Sequence, residues 1–243
     1  MNRRRRRWLL AAAGLPLVAI VVLGVEVEVA RRGENLDDVD LVHPAGTSER
    51  VAVWLGDSTA YGIGVRDPAD GVAGRIAADR DERVIMLGVS GATLSDVLAR
   101  QLPKVAASDP DIIYISVGAN DTTHLTRRPA FTSMYRRLLD GLPAGVPVVV
   151  LGIPDFGAPP RFAQPLRAIA GFRARQLDRA VRRVVADRPG TSYVDIAGPT
   201  GPPFRRDPDR YFADDGYHPS AAGYALWAEA VLAAVPGLSG FGG

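Results

Sequence analysis

The chain has 243 residues, 47% of them hydrophobic and 23% charged, an ordinary globular composition that fits one well-packed domain plus an appendage. Its formal net charge of +2 averages two unlike parts: residues 1–32 hold seven arginines against Glu26 and Glu28, and the remainder carries 22 basic and 25 acidic residues. That mildly acidic body argues against nucleic-acid binding, and the absence of cysteine excludes thiol catalysis, cysteine-ligated zinc and disulfides.

Arg3 to Arg7 precede an uncharged, mostly apolar run of 18 residues, Trp8 to Val25, broken only by Gly14, Pro16 and Gly24. A spanning helix needs about 20 apolar residues, whereas a cleaved signal peptide has an apolar stretch of about 7 to 15 and a small-residue cleavage site. No clean Ala-x-Ala follows the run. Residues 1–30 are therefore read as an uncleaved signal anchor, a single span in the cell membrane with the arginines on the cytoplasmic side and the rest outside. A cleaved signal peptide and a secreted product is the alternative. A solvated or nucleic-acid-binding arginine tail is the reading set aside.

Residues 31–50 are polar and acidic, without apolar periodicity, and read as a tether. Residues 51–243 then alternate short β-branched runs with amphipathic stretches. Strands are expected at Val51 to Gly56, Val84 to Gly88, Ile112 to Val117, Val146 to Ile153 and Ser192 to Ile196. Helices are expected at about Gly71 to Asp79, Leu94 to Ala106, Phe131 to Leu139, Leu166 to Ala186 and Ala221 to Val235. The fourth helix is expected to turn Ile169, Phe172, Leu177, Ala180, Val181 and Val184 to the core, with its arginines solvated, contact with anionic lipid or polymer being the alternative. Ser220 is expected to cap the fifth, whose Tyr224, Trp227 and Val231 form one face. Strand–helix alternation implies an α/β fold, a five-stranded parallel sheet inside a three-layer α/β/α domain. Stretches 122–130, 154–165 and 198–213 remain as loops.

In such sheets ligands bind at the carboxyl ends of the strands, and four short segments fall there. They are Gly56-Asp57-Ser58 after the first strand, Ser90-Gly91 after the second, Gly118-Ala119-Asn120-Asp121 after the third, and Asp215-Gly216-Tyr217-His218 after the fifth. A serine hydroxyl is a weak nucleophile and needs a base, for which histidine suits near-neutral pH. Of the three histidines, His43 lies in the tether and His124 lines the pocket or sits on the surface. Only His218 has a carboxylate three positions earlier in a turn, and Asp215 would orient its imidazole and stabilise the charged form. An oxyanion would meet the backbone N–H groups of Ser58 and Gly91 and the side-chain amide of Asn120. Gly91 is read as a glycine because a missing Cβ eases approach to its N–H. Asp57 and Asp121 are read as holding loops. Each segment alone has a structural reading: a helix cap for Asn120-Asp121, a strand-to-helix turn for Ser90-Gly91. Ser58 is followed by Thr59-Ala60, so the Gly-x-Ser-x-Gly elbow of α/β-hydrolases is absent.

Together the four segments, in this order, resemble the four blocks of the SGNH hydrolases, also called GDSL-type esterases and lipases, over roughly residues 51–235. The resemblance implies a flavodoxin-like sheet and a nucleophile at Ser58. It implies a base at His218 oriented by Asp215, oxyanion donors from Ser58, Gly91 and Asn120, and no cofactor or metal. Two departures are visible: no asparagine shortly precedes the second-block glycine, where Met86-Leu87-Gly88 stands, and Thr59 replaces the leucine after the serine. The expected activity is hydrolysis of acyl esters, with a small-molecule, glycan or lipid ester as partner. The alternatives are an acyltransferase or O-deacetylase acting on cell-surface glycan, and a non-enzymatic surface binding module on the same fold.

Overall fold

A computed structural model describes residues 48–237. The arginine-rich start, the apolar run and His43 lie outside the described residues, as does nearly all of the tether. No helix among the described residues is long and apolar enough to cross a membrane.

Five strands, β1 (Val51–Gly56), β2 (Arg83–Met86), β3 (Ile112–Ser116), β4 (Val148–Leu151) and β5 (Thr191–Val194), pair in parallel in the order β2-β1-β3-β4-β5. The helices between and after them are α1 (Ser58–Tyr61), α2 (Val72–Arg80), α3 (94–105), α4 (Ala119–Thr123), α5 (Arg128–Asp140), α6 (Leu166–Ala186), α7 (Ala197–Arg206), α8 (Pro208–Tyr211) and α9 (Ala221–Ala234). One stretch of α3, Val97–Gln101, is π-helical.

Both faces of a parallel sheet are covered, so its central strands carry apolar residues at every position and the side-chain period of two sorts them between two cores. Val53, Leu55, Ile113, Ile115, Val148 and Val150 pack on one side with residues of α3, α5 and α6. Ala52, Trp54, Ile112, Tyr114, Val149 and Leu151 pack on the other with residues of α2, α7 and α9. There Trp54 stacks on Tyr114 with ring centroids 4.5 Å apart. The three-layer architecture is the one expected, and Ser220 does cap α9, accepting from the Gly223 N–H.

Three expectations need correction. The strands other than β1 end earlier than read, because buried residues continue past the last paired residue, as at Gly152-Ile153 after Leu151. Segment 198–213, read as a loop from its prolines, is mostly α7 and α8. Pro199 lies in the first turn of α7, where its missing N–H costs nothing. Burial of Thr200, Gly201 and Phe204 on one side holds the helix despite Pro202 and Pro203. Likewise α5 starts at Arg128 with Pro129 in its first turn, a turn before Phe131.

The third correction concerns α6. Its buried side is Ala170, Gly171, Ala174, Leu177, Ala180, Val181, Val184 and Val185, whereas Ile169 and Phe172 are 41% and 55% exposed. The cause is close packing against the loop after β4: a Cβ on Gly171 would lie 3.0 Å from the Gly157 nitrogen. Only small residues fit there, so the first turns of the helix present them inward and the two large side chains outward.

Candidate active site

The site begins where β1 ends. Gly56 has φ +145°, and a Cβ there would strike the carbonyl oxygen of Ser116 on the neighbouring strand, so only glycine lets the chain turn this close to β3. The buried Gln101 clamps that turn: the Gly56 N–H donates to its Oε1 and its Nε2 donates to the Gly56 carbonyl, both at 2.8 Å. Asp57 then caps α1, its Oδ1 accepting from the Thr59 N–H at 3.0 Å and from Thr59 Oγ1 at 2.8 Å. These bonds set Ser58 at the first position of α1. Asp57 is fully buried and its Oδ2 has no hydrogen-bond partner. Burial pushes its carboxyl up to about 6, against the opposing bonds from Thr59 and the charge of His218.

His218 arrives from 160 residues away, and its Nε2 stands 3.0 Å from Ser58 Oγ. Its Nδ1 is 2.6 Å from Asp215 Oδ2, while Asp215 Oδ1 accepts from the N–H groups of Tyr217 and His218 at 2.9 and 3.0 Å. Gly216 supplies the tight corner at φ +61°. A Phe212–Pro219 bridge and the Ala213 N–H bond to the His218 carbonyl close the loop behind it. Burial raises the Asp215 carboxyl, but the hydrogen bonds and charge of His218 and the two N–H groups outweigh it and hold it below its ordinary value. An ionised Asp215 only accepts, so Nδ1 carries the imidazole proton and Nε2 is free to take one from Ser58. Tyr217 packs edge-on against the His218 ring and also meets Phe156 and Phe162, which limits rotation of the imidazole.

Ser58 and His218 form part of the wall of an open groove of about 660 Å³, together with Ser90, Gly91 and Asn120. Asn120 lies in the first turn of α4 and its Nδ2 donates to the Ala92 carbonyl at 3.0 Å. That bond uses one of the two amide hydrogens and fixes the direction of the other. Asp121 ties α4 to the start of α3, its Oδ2 accepting from the Leu94 N–H at 2.8 Å. His124 is exposed on the groove's rim with Nδ1 2.8 Å from the Asn120 carbonyl. On the far side of Ser58 and His218 is an apolar cavity of about 40 Å³ between Ala119, Phe156, Phe204, Phe212 and Trp227.

All five sequence-derived site residues thus meet at one rim: Ser58, His218 and Asp215 in direct contact, Gly91 and Asn120 in the same groove as Ser58. The structure adds a second reason for glycine at position 91. A Cβ there would meet no protein atom within 4 Å, but its φ of +76° is one that side-chain-bearing residues rarely adopt. Gln101 and Tyr217 were missed as positioning residues. The signal for Gln101 was present, because it interrupts the core-facing series Leu94, Val97, Val105 at helical spacing. Among the described residues no cluster of three or more histidine, aspartate or glutamate side chains is arranged to hold a metal ion.

A serine–histidine–aspartate relay at the strand ends of an α/β/α domain is the layout of a serine hydrolase. Residues 54–226 match the model of the GDSL-like lipase/acylhydrolase family. A GDSL-like esterase of Mycobacterium tuberculosis is 34% identical over 192 residues, which cover 74% of this chain and 60% of that protein. The chain therefore spans less than two thirds of that relative. The fold recurs in a lipase/acylhydrolase from Enterococcus faecalis (TM-score 0.62, 22% identity, 76% of this chain and 94% of that one). It recurs also in phospholipase A1 from Streptomyces albidoflavus (0.61, 22%, 79% and 100%) and the acetylxylan esterase Axe2 from Geobacillus stearothermophilus, in a catalytic mutant (0.59, 19%, 79% and 97%). The chain belongs to the GDSL-like lipase/acylhydrolase family, the SGNH hydrolases.

Proposed function

We propose that the chain is a serine ester hydrolase that works through an acyl-enzyme. Ser58 attacks the ester carbonyl as His218 Nε2 takes its proton, and the imidazolium, held by Asp215, returns that proton to the departing alcohol. The N–H groups of Ser58 and Gly91 and the free amide hydrogen of Asn120 carry the oxyanion. Water, activated by the same histidine, then releases the acid. The observation that carries this reading is the continuous contact from Ser58 Oγ through His218 to Asp215 at 3.0 and 2.6 Å. Purified full-length chain should hydrolyse a p-nitrophenyl short-chain ester, and Ser58→Ala should abolish this while leaving the thermal unfolding transition in place. Undiminished hydrolysis by the variant would refute the mechanism.

The groove, open to solvent and about 660 Å³, supports a bulky alcohol portion such as a sugar and so keeps transfer or O-deacetylation on cell-surface glycan as a second reading. Incubation with an acyl donor and a sugar acceptor separates the two, since only transfer yields an acylated sugar. The five arginines before the 18-residue apolar run support residues 1–30 as an anchor, residues 31–50 as its tether and residues 51–243 as a hydrolase domain outside the cytoplasmic membrane. Retention of the full chain in washed membranes, against release after deletion of residues 1–30, tests that placement.

A further inference from the structure

Two large apolar side chains in the wall of the groove, Leu125 and Ile169, stand partly in solvent, and a third, Phe172, is exposed on the same helix as Ile169. Leu125 is 64% exposed, and Ile169 and Phe172 follow one another at i, i+3 on the outer side of α6. Arg173 joins the two elements: its Nε donates to the Thr122 carbonyl and its Nη2 to the Thr126 carbonyl, so the loop bearing Leu125 is fastened against the helix beside Phe172. Leu125 is also held at φ +58°, a left-handed conformation that a leucine adopts at a cost. A strained, exposed leucine next to two more exposed apolar side chains marks a surface built for contact.

The two segments that carry these side chains are basic, although Asp96 and Asp121 lie within charge range of the neighbouring His124. Residues 122–130 and 156–175 contain six arginines and neither aspartate nor glutamate. Arg167, like Arg173, donates to carbonyl oxygens, those of Phe162 and Pro160, so these bonds leave its charge uncompensated. The chain outside the described residues says what such a surface would face. Residues 26–47 link the apolar run to Ser48 near the amino ends of the strands, and 22 residues reach at most about 75 Å. The domain itself is about 40 Å across for its length. With residues 1–30 as the anchor proposed above, on which this inference rests, the link is long enough for the carboxyl-end rim, on the opposite side, to turn onto the same membrane.

We propose that this mouth docks on an anionic lipid bilayer, with Leu125, Ile169 and Phe172 entering the apolar boundary and the surrounding arginines meeting lipid phosphates. The groove then opens directly onto the membrane surface. The docking is read without turnover, so it stands or falls separately from ester hydrolysis.

The absence of cysteine makes the test direct. Full-length Phe172→Cys and Leu125→Cys, each labelled with an environment-sensitive nitrobenzoxadiazole, are mixed with vesicles of phosphatidylcholine alone or with phosphatidylglycerol in equal part. Both labels are expected to shift to the blue and brighten on the anionic vesicles, while a label at Ala144→Cys, in the turn before β4, stays water-like. Adding Arg127→Glu and Arg128→Glu to the Phe172→Cys protein should weaken this response by about thirtyfold or more, as expected for two arginines lost and reversed near an anionic surface. A label at Leu17→Cys reports the anchor independently. An apolar environment at position 17 with water-like labels at 125 and 172 overturns the docking. So does an equal response at Ala144, and an equal response on neutral vesicles overturns the role given to the arginines.

Discussion

Asp57→Asn is expected to remove a pH dependence of stability that the wild-type chain carries beside Ser58. Asp57 is fully buried, its Oδ1 serves Thr59, its Oδ2 has no partner, and its carboxyl is pushed up to about 6 from 3.8. The native state therefore binds a proton more tightly than the unfolded chain, and unfolding free energy falls as pH rises from the unfolded value through the folded one. The shift of roughly two units corresponds to about 3 kcal/mol, absent below pH ~4 and fully present above pH ~6. Asparagine keeps an Oδ1 acceptor for Thr59 and has no charge to desolvate. Other buried carboxylates, among them Glu82 and Asp178, also add slope, so the readout is the difference between variant and wild type. Urea unfolding at pH 4 and pH 7 should show the variant gaining about 3 kcal/mol relative to wild type between the two. Curves that stay parallel would show that Asp57 is not ionised at a cost, and the account of its environment would be wrong.

Asp215→Asn should lower kcat by about 10³- to 10⁴-fold with little change in KM, because the amide can donate to Nδ1 and so select the wrong imidazole tautomer; steady-state kinetics on a p-nitrophenyl ester measures this. Asn120→Ala should lower kcat by about 10²- to 10³-fold through loss of one oxyanion donor, and a pure KM effect would place Asn120 in ground-state binding instead. Gln101→Leu leaves the Gly56 N–H unpaired in the core and should cost about 1–3 kcal/mol in urea unfolding. Its activity should fall as well, since Gly56 directs the turn into Ser58.

The layers and the site were legible for a shared reason. Buried parallel strands must be short apolar runs, and groups at their carboxyl ends must sit in the few residues that follow, so Ser58, Gly91 and Asn120 could be assigned to one rim before any contact was known. His218 was legible through Asp215, whose three-residue spacing across Gly216 is local. What was not legible depended on contacts distant in sequence. The facing of α6 is set by Gly157 pressing on Gly171, which an apolar stripe on α6 does not reveal, and so Ile169 and Phe172 were turned inward. Helix α7 carries Pro202 and Pro203, which local propensity reads as breakers, and forms because Phe204 packs on Phe212 and Tyr211. Gln101 acts on a glycine 45 residues away, and nothing nearby in sequence names its partner.

The most direct test of the central claim is covalent labelling of the folded, full-length chain with a fluorophosphonate, followed by peptide mapping. A single adduct on Ser58 is predicted, lost in Ser58→Ala and strongly slowed in His218→Ala. No adduct on Ser58, or labelling whose rate is unchanged without His218, would contradict the relay.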